Sequence, residues 1–243
     1  MTKQLFNLHT AHPSWHHCLT HALECMNPAY LNKLYSNPDW LPGPVNIFNA
    51  FSLPVTHVNY ILFGESPYPR KQSANGYAFW DQAVTELWSE SGMSKAVNRA
   101  TSLRNMIKTL LVAEGLLYAH ETTQEHIAKI DKKNLIQTNT ALFNNFIKHG
   151  FLLLNATLVL QPQNVRKDAA EWYPFIQYVL HFLYQQRPEI YLILFGNIAN
   201  TIDKLAPQNT LKKLQVEHPY NHSFINNAKV LEFFQPLHLL RDT

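Results

Sequence analysis

The chain has 243 residues, 46% of them hydrophobic, which suits one large α/β domain or two small ones. Its formal net charge of +3 permits an anionic partner without requiring one. No Gly-rich phosphate loop or dinucleotide fingerprint occurs, which argues against nucleoside-triphosphate and NAD enzymes.

The compartment is predicted from the N-terminal sequence, the apolar runs and the cysteines. The first residues lack the apolar region of a secretory signal, and no apolar run reaches the ~18 residues of a membrane span. Cys18 and Cys25 lie in a stretch with helical spacing, where a reduced pair is expected rather than a disulfide. We therefore expect a cytoplasmic protein, with no membrane association, no metal and no cofactor.

Apolar spacing predicts helices that alternate with short buried strands. The predicted helices lie at residues 13–36, with an interruption near Pro28, and at 81–94, 101–118, 138–148, 169–186, 197–204 and 224–235, with another short helix after Thr122. The predicted strands lie at residues 58–63, 150–154, 190–195 and 211–216. Two helix starts are predicted from capping pairs, Thr122 with Glu125 and Asp168 with Glu171.

This alternation predicts an α/β protein with a central four-stranded, mainly parallel sheet and helices on both faces. No linker or low-complexity segment divides the sequence. We therefore expect a single domain over residues 1–243.

Polar side chains follow the carboxyl ends of three predicted strands. Glu65 and Ser66 follow the first strand, Asn155 ends the second, and His218 follows the fourth. Taken singly, Asn155 could cap a turn, His218 could be a partly buried histidine with its partners, and Glu65 could be a solvated charge. Because parallel strands place their carboxyl ends along one edge, the recurrence predicts a site there.

Six motifs, in chain order, resemble those of the uracil-DNA glycosylases, closest to the large GQDPYH family. The matching segments are FNAF at residues 48–51, GESPYP at 64–69, ANGYAF at 74–79, SLRNM at 102–106, LLLN at 152–155 and HPYNHS at 218–223. The second and third segments align with GQDPYH and AHGLAF, and the alignment needs no insertion or deletion between the two motifs. Each motif alone is weak, but together they cover residues from about 15 to 235.

The resemblance implies that a target nucleotide leaves the base stack and enters a pocket. In that pocket Phe79 would stack on uracil, although it could also be a core aromatic. The Asn155 amide would donate to one carbonyl and accept from the ring N–H, a pattern that cytosine partly reverses. Tyr68 would fill the space that a thymine methyl group needs.

The resemblance also implies roles for five residues of the other motifs. His218, as a neutral imidazole, would donate to the base carbonyl as the leaving anion develops charge. Ser102 and Ser223 would hold backbone phosphates, although each could instead cap a helix. Tyr220 and His222 complete the implied DNA-binding set, and His222 stands in place of the family's wedge leucine.

The departures from the family pattern concern catalysis and DNA contact. Ser66 replaces the catalytic aspartate, and losing such a group commonly costs a factor of ~10² to 10⁴. Glu65 could compensate, since other branches of the superfamily carry the acidic residue at this second motif position. About a dozen residues are also inserted between Phe79 and Ser102. Lys95, Arg99 and Arg104, in and just after this segment, could contact phosphates or form a solvated helix face.

Three functions are compatible with these residues. The preferred one is a monomeric glycosylase that hydrolyses the N-glycosidic bond of a flipped uracil, or a related damaged base, in single- or double-stranded DNA. In the second, Ser66 marks a degenerate homologue that binds nucleic acid without cutting it. In the third, the fold binds a protein partner instead.

Overall fold

The computed structural model describes residues 6–161, 163–206 and 212–241. The strands are β1 (Tyr60–Gly64), β2 (Trp88–Ser89), β3 (Gly92–Met93), β4 (Phe151–Asn155), β5 (Tyr191–Phe195) and β6 (Lys212–Val216). The helices are α1 (His16–Glu24), α2 (Pro28–Ser36), α3 (Lys95–Arg99), α4 (Thr101–Ala113), α5 (Gln124–Ala128), α6 (Asn139–Lys148), α7 (Val165–Gln186), α8 (Ile198–Leu205) and α9 (Ala228–Phe234). Short 3-10 turns lie at Pro13–Trp15, Asn49–Ser52, Val55–His57, His222–Asn226 and Gln235–Leu237.

A four-stranded sheet with the order β4-β1-β5-β6 organises the fold. β1 pairs in parallel with both β4 and β5. All five residues of β4 are buried, as expected for a strand covered on both faces. The predicted α/β class with a central four-stranded, mainly parallel sheet is confirmed. Residue 211, where the fourth strand is predicted to begin, lies outside the described residues.

The chain forms two compact units. The first contains the described residues up to Asp81 and those between Gly150 and Lys213, and the second contains residues 82–149 and the described residues from Leu214 onward. The expectation of one domain over the whole chain stays a prediction. Within the described ranges, no helix combines the length and apolarity of a membrane span. Cys18 and Cys25 are both free.

The first unit has an aromatic core beneath the 3-10 turn Asn49–Ser52. Phe51 packs edge-on against Trp15 with ring centroids 5.0 Å apart, and against Phe175 at 6.2 Å. Trp172 adds a further edge contact to Phe175 at 5.0 Å. Edge-to-face pairs of buried rings add to the free energy of apolar burial. The FNAF segment thus packs on the turn Pro13–Trp15 and on α7.

The predicted helix over residues 81–94 is wrong. This segment contains the two-stranded antiparallel sheet of β2 and β3. Its backbone is occupied by other hydrogen bonds, since Leu87 N–H donates to Gln137 O at 2.9 Å and Thr85 O accepts from Asn139 N–H at 2.7 Å. Gly92 has a φ of +126°, which a glycine adopts readily. Val84, Leu87 and Met93 are still buried, so apolar spacing alone did not distinguish a helix from this hairpin.

Both predicted capping pairs are also wrong. α5 has Thr123, not Thr122, at its N-cap, and the Thr123 side chain accepts from His126 N–H. α7 starts at Val165, which places Asp168 in its first turn instead of at its cap. Asp168 is fully buried and accepts from Tyr30 Oη at 2.8 Å and from Gln161 N–H at 2.8 Å. This carboxylate therefore anchors the chain segment that follows β4.

The predicted helix over residues 101–118 is shorter in the structure. α4 ends at Ala113, and Gly115 follows with a φ of +71°. A glycine in this left-handed conformation commonly ends a helix. The apolar residues beyond Gly115 continue the helical spacing, so the hydrophobic pattern alone predicted a helix that is too long.

Candidate functional site

The carboxyl ends of β1 and β4 lie side by side. Gly64 is the register partner of Asn155. The pairing continues past both strands, because Ala156 N–H donates to Gly64 O at 2.9 Å and Thr157 N–H donates to Glu65 O at 3.1 Å. The backbone of the loop after β1 is therefore held against the loop after β4, as predicted for this edge of the sheet.

The Asn155 side chain is buried at this edge. Only 3% of the residue is exposed. A Cβ on Gly64 would lie 2.9 Å from the Cβ of Ala78 and closer still to Asn155 Oδ1, so only glycine leaves room for the amide. Among the described residues, no side-chain hydrogen bond satisfies the Asn155 amide. The amide is not among the fully enclosed polar groups that lack a partner, so its hydrogen-bonding atoms still reach the surface and are available to a ligand.

Gly64→Ala should therefore lower both stability and ligand binding. The added methyl group forces Ala78 or the Asn155 amide to move, and overpacking of this kind costs about 1–3 kcal/mol of unfolding free energy. Urea unfolding measures the stability loss. Gly115→Ala is the control, since nothing lies within 4 Å of its added Cβ and only backbone strain at its φ of +71° is introduced. An unfolding free energy of Gly64→Ala equal to that of the wild type would contradict the steric explanation.

Tyr68 and Phe79 are joined by a hydrogen bond. The Tyr68 hydroxyl donates to the Phe79 carbonyl at 3.1 Å. Burial, and secondarily the negative charge of Asp81, raises the pKa of Tyr68, so the phenol keeps the proton that it donates. Phe79 has a φ of +64°, an uncommon conformation for a residue with a side chain, and its ring contacts Phe195 edge-on at 5.9 Å.

The segment leading to Phe79 is held by the FNAF motif. Asn49 Nδ2 donates to Asn75 O at 2.8 Å, and Asn75 Oδ1 accepts from Tyr77 N–H at 3.1 Å. Gly76 has a φ of +89°, and a Cβ there would collide with Asn46 O. Asn49 and Asn75 are positioning residues for which the sequence analysis predicted no role, although both lie within matched motifs.

Glu65 and Ser66 lie on the loop directly after β1. Ser66 is half-buried and Glu65 is exposed. The Glu65 backbone is fixed by Thr157, whereas no described residue forms a hydrogen bond or ion pair with its carboxylate. Both residues therefore follow the strand whose last residue pairs with Asn155. No contact holds the Glu65 carboxylate in one orientation. The role of each stays a prediction.

The remaining predicted site residues belong to the second unit. His218 Nδ1 accepts from Tyr220 N–H at 3.1 Å. A neutral imidazole that accepts at Nδ1 carries its proton at Nε2, so His218 has the form of a donor at that nitrogen. This hydrogen bond leaves Nε2 to carry the donor proton, and the catalytic role of His218 stays a prediction.

Asn105 of α4 anchors the loop that contains His218. Asn105 is 2% exposed, and its Nδ2 donates to Pro219 O at 2.7 Å. This role was not predicted from the sequence, although Asn105 lies within the matched SLRNM motif. An amide at an inward position of an amphipathic helix was the available signal. Arg104 next to it donates to Asn98 O at 3.0 Å and so supports the structure locally.

Four predicted DNA-binding residues flank this loop. Ser102 is the half-buried second residue of α4, whose N-cap is Ala100, so Ser102 does not cap the helix. Tyr220, with 68% of its surface exposed, and His222 and Ser223 are exposed. The N-cap of the turn His222–Asn226 is Asn221, so Ser223 is not a cap either. The capping alternatives for both serines are therefore wrong.

Solved structures of known proteins match this architecture over most of the chain. The wild-type UNG crystal structure from Nitratifractor salsuginis has 40% sequence identity and a TM-score of 0.93, and the match covers 99% of this chain and 96% of that one. The mimivirus uracil-DNA glycosylase structure, 17% identical with a TM-score of 0.60 over 88% of this chain and 71% of that one, shares the fold. No protein-family model matches.

Curated sequences give the same result at lower identity. The uracil-DNA glycosylase of Fusobacterium nucleatum is 26% identical over 191 residues, 78% of this chain and 71% of the relative. That of Campylobacter jejuni is 24% identical over 192 residues, 78% of this chain and 70% of the relative. The chain belongs to the uracil-DNA glycosylase family. The family resemblance that the sequence motifs predict is confirmed.

Proposed function

We propose that this protein is a DNA repair glycosylase that hydrolyses the N-glycosidic bond of a uracil flipped out of DNA. The observation that supports the proposal is the position of the Asn155 side chain in a chain of this family. Asn155 is buried at the carboxyl end of two parallel strands, and the missing side chain of Gly64 leaves room for its amide. An amide at that position matches the polar edge of uracil. A related damaged base with the same edge would also fit.

Asn155 is proposed to recognise the base. Its Nδ2 donates to a uracil carbonyl, and its Oδ1 accepts from the ring N–H. Cytosine presents an amino group and an unprotonated ring nitrogen instead, so an amide held in the orientation that reads uracil would set donor against donor and acceptor against acceptor. Sites that bury hydrogen-bonding groups in this way reject the wrong partner strongly.

Tyr68 and Phe79 are proposed to shape the base pocket. The Phe79 ring stacks on the uracil face, and its backbone accepts the hydrogen bond of Tyr68. The Tyr68 ring then occupies the space beside the base where thymine carries a methyl group. Uracil, which carries a hydrogen at C5 of the ring, is accepted, and thymine, which carries a methyl group there, is excluded.

Bond cleavage is proposed to depend on His218 and on a residue at the GESPYP loop. The C1′–N1 bond breaks with its electron pair moving onto the base, and the Nε2–H of His218 donates to the carbonyl on which negative charge develops. Water then attacks C1′, and the proton that it loses neutralises the released uracil anion. Glu65 is proposed to stabilise the cationic sugar and to orient this water in place of the family's aspartate, with Ser66 next to it.

The DNA contacts are proposed to come from four residues of the second unit. Ser102 and Ser223 hydrogen-bond to backbone phosphates, while Tyr220 and His222 contact the DNA from exposed positions. Such contacts position the strand and carry no base specificity. His222 would fill the place of the departed base. We further propose that the protein is a monomer and that it is cytoplasmic, the second of which the two free cysteines support.

A strand-cleavage assay tests the proposed function. Purified protein is incubated at low salt with a labelled oligonucleotide that contains one uracil, and alkali then breaks the strand at each abasic site. Cleavage at the uracil position, and none in a matched cytosine oligonucleotide, is the expected result. Binding should weaken steeply with salt if phosphates are contacted.

Ser66 favours a second candidate, a homologue that binds DNA without cutting it. A hydroxyl at this position supplies no negative charge to the sugar. Salt-sensitive binding of the uracil oligonucleotide without cleavage would support that candidate and overturn hydrolysis. A protein that neither cleaves nor binds the oligonucleotide would instead favour a function in binding a protein partner.

His218→Ala should lower kcat for uracil release by about 10²–10³-fold, the usual cost of removing one donor to a developing anion. KM should change little, because the donor acts mainly in the transition state. Single-turnover rates on the uracil oligonucleotide measure the effect. His120→Ala, which removes an exposed histidine of the same unit, should keep the wild-type rate. A raised KM with unchanged kcat would contradict the donor role.

A further inference from the structure

Two contacts tie residues 68–70 to residues 79–81. The Tyr68 hydroxyl donates to Phe79 O at 3.1 Å, and two residues further along each segment Arg70 Nη2 lies 3.0 Å from Asp81 Oδ2. Both contacts connect the segment before residues 71–78 to the segment after them, so they close this loop at its two ends. Tyr68 is therefore held at its tip by the first contact and near its backbone by the second.

Asp81 is unusual because its charge is buried. Its side chain is 3% exposed, whereas the Arg70 side chain is 58% exposed. Exposed ion pairs contribute little to stability, but removing the counter-charge of a buried carboxylate is costly. Asp81 is also close enough to Tyr68 for its charge to raise the pKa of the phenol. The ion pair and the tyrosine therefore form one local structure.

We propose that the Arg70–Asp81 ion pair is a positioning device that holds the Tyr68 ring against the base and so sets discrimination against thymine. The inference rests on the proposed function, since it concerns the pocket wall of that site. A pocket whose wall adapts distinguishes a methyl group by only about 10–200-fold, whereas a wall that cannot move excludes it more strongly. Neither Arg70 nor Asp81 belongs to a motif that the sequence analysis matched.

A phosphate contact by Arg70 is the competing explanation. The guanidinium is more than half exposed and Lys71 follows it in the sequence, so a DNA backbone could reach both side chains. The two explanations predict opposite results for Asp81→Asn. This change removes the ion pair and leaves the Arg70 charge in place. A phosphate contact would survive it, and the fixed position of Tyr68 would not.

The test compares release of uracil, 5-fluorouracil and thymine from otherwise identical oligonucleotides. Asp81→Asn should lower the ratio of the uracil rate to the thymine rate by about tenfold or more. Arg70→Lys retains a cation within reach of Asp81 and should keep the ratio within about threefold of the wild type. Tyr68→Ala marks the fully open pocket. Asp203→Asn, which breaks the exposed pair with Lys213 in the same unit, is the matched control and should leave the ratio unchanged.

Two results would overturn the positioning role. The first is an active Asp81→Asn variant with the wild-type ratio of uracil to thymine release. The second is a lower salt slope of DNA binding in Arg70→Ala, by about one charge, with an unchanged ratio, which would establish the phosphate contact.

The positioning role and the proposed function fail separately in this experiment. A wild-type protein that releases no uracil refutes the proposed function, and hydrogen exchange then tests the ion pair by itself. The amides of Ser73 and Ala74, which donate to Arg70 O at 2.9 Å and 3.0 Å, should exchange faster in Asp81→Asn than in Arg70→Lys or the wild type, because the local structure opens more often. Equal exchange in all three proteins would overturn the inference without any activity measurement.

Discussion

The Glu65→Gln variant should release uracil about 10²–10⁴ times more slowly than the wild type, whereas Ser66→Ala should retain most of the activity. The two residues are adjacent on the loop after β1, and only Glu65 carries a negative charge that can face a cationic sugar. Glutamine keeps the size of the side chain and removes that charge. Single-turnover rates on a uracil oligonucleotide measure the effect.

Two further variants test whether the carboxylate has been displaced by one position. Ser66→Asp introduces the family's aspartate, and in Glu65→Gln/Ser66→Asp it should restore at least part of the lost rate. Glu90→Gln, which removes an exposed carboxylate of the second unit, is the control. If Ser66→Ala is the inactive variant and Glu65→Gln is not, the serine positions the water and the carboxylate role of Glu65 is wrong.

Only the backbone of Glu65 is fixed by a hydrogen bond within the described residues. Thr157 N–H fixes the Glu65 carbonyl, and the exposed side chain has no described partner. A free carboxylate loses more conformational entropy on ordering than one held by neighbours. Glu65 would then adopt its catalytic orientation only when DNA is bound, which gives a slower enzyme than one with a fixed carboxylate.

The sheet and its polar edge were predictable because the relevant signals are local. Each of the three long apolar runs is about one strand long and ends at a glycine or a polar residue, and parallel pairing follows from the helices between them. The position of Asn155 opposite Gly64 follows from that pairing. The family motifs added the expected roles, which composition and spacing alone did not supply.

The hairpin of β2 and β3 was not predictable because its stability comes from distant residues. Gln124 Oε1 accepts from Met93 N–H at 2.8 Å, and Trp88 Nε1 donates to Ile136 O at 2.8 Å. Such contacts override the helical spacing of the apolar residues. The left-handed φ of Phe79 and the Arg70–Asp81 pair depend in the same way on the folded loop, so no pattern in the sequence indicates either one.

Asn155→Ala should abolish base selectivity, the other large effect that this structure predicts. The variant removes both hydrogen bonds to uracil, so kcat/KM for uracil should fall by about two to three orders of magnitude, while cytosine, which never paired with the amide, loses nothing comparable. The rate ratio of uracil to cytosine should therefore approach one. Release of each base from oligonucleotides that differ only at that position measures it.

Two variants separate recognition from packing. Asn197→Ala removes an exposed asparagine that follows β5 and makes no side-chain cap, so selectivity should remain that of the wild type. Asn155→Asp keeps the shape of the side chain but only accepts hydrogen bonds. It should lose uracil release and favour cytosine, whose amino group is a donor. If Asn155→Ala and Asn155→Asp both retain the wild-type ratio of uracil to cytosine, the amide beside Gly64 does not read the base, and its burial needs another explanation.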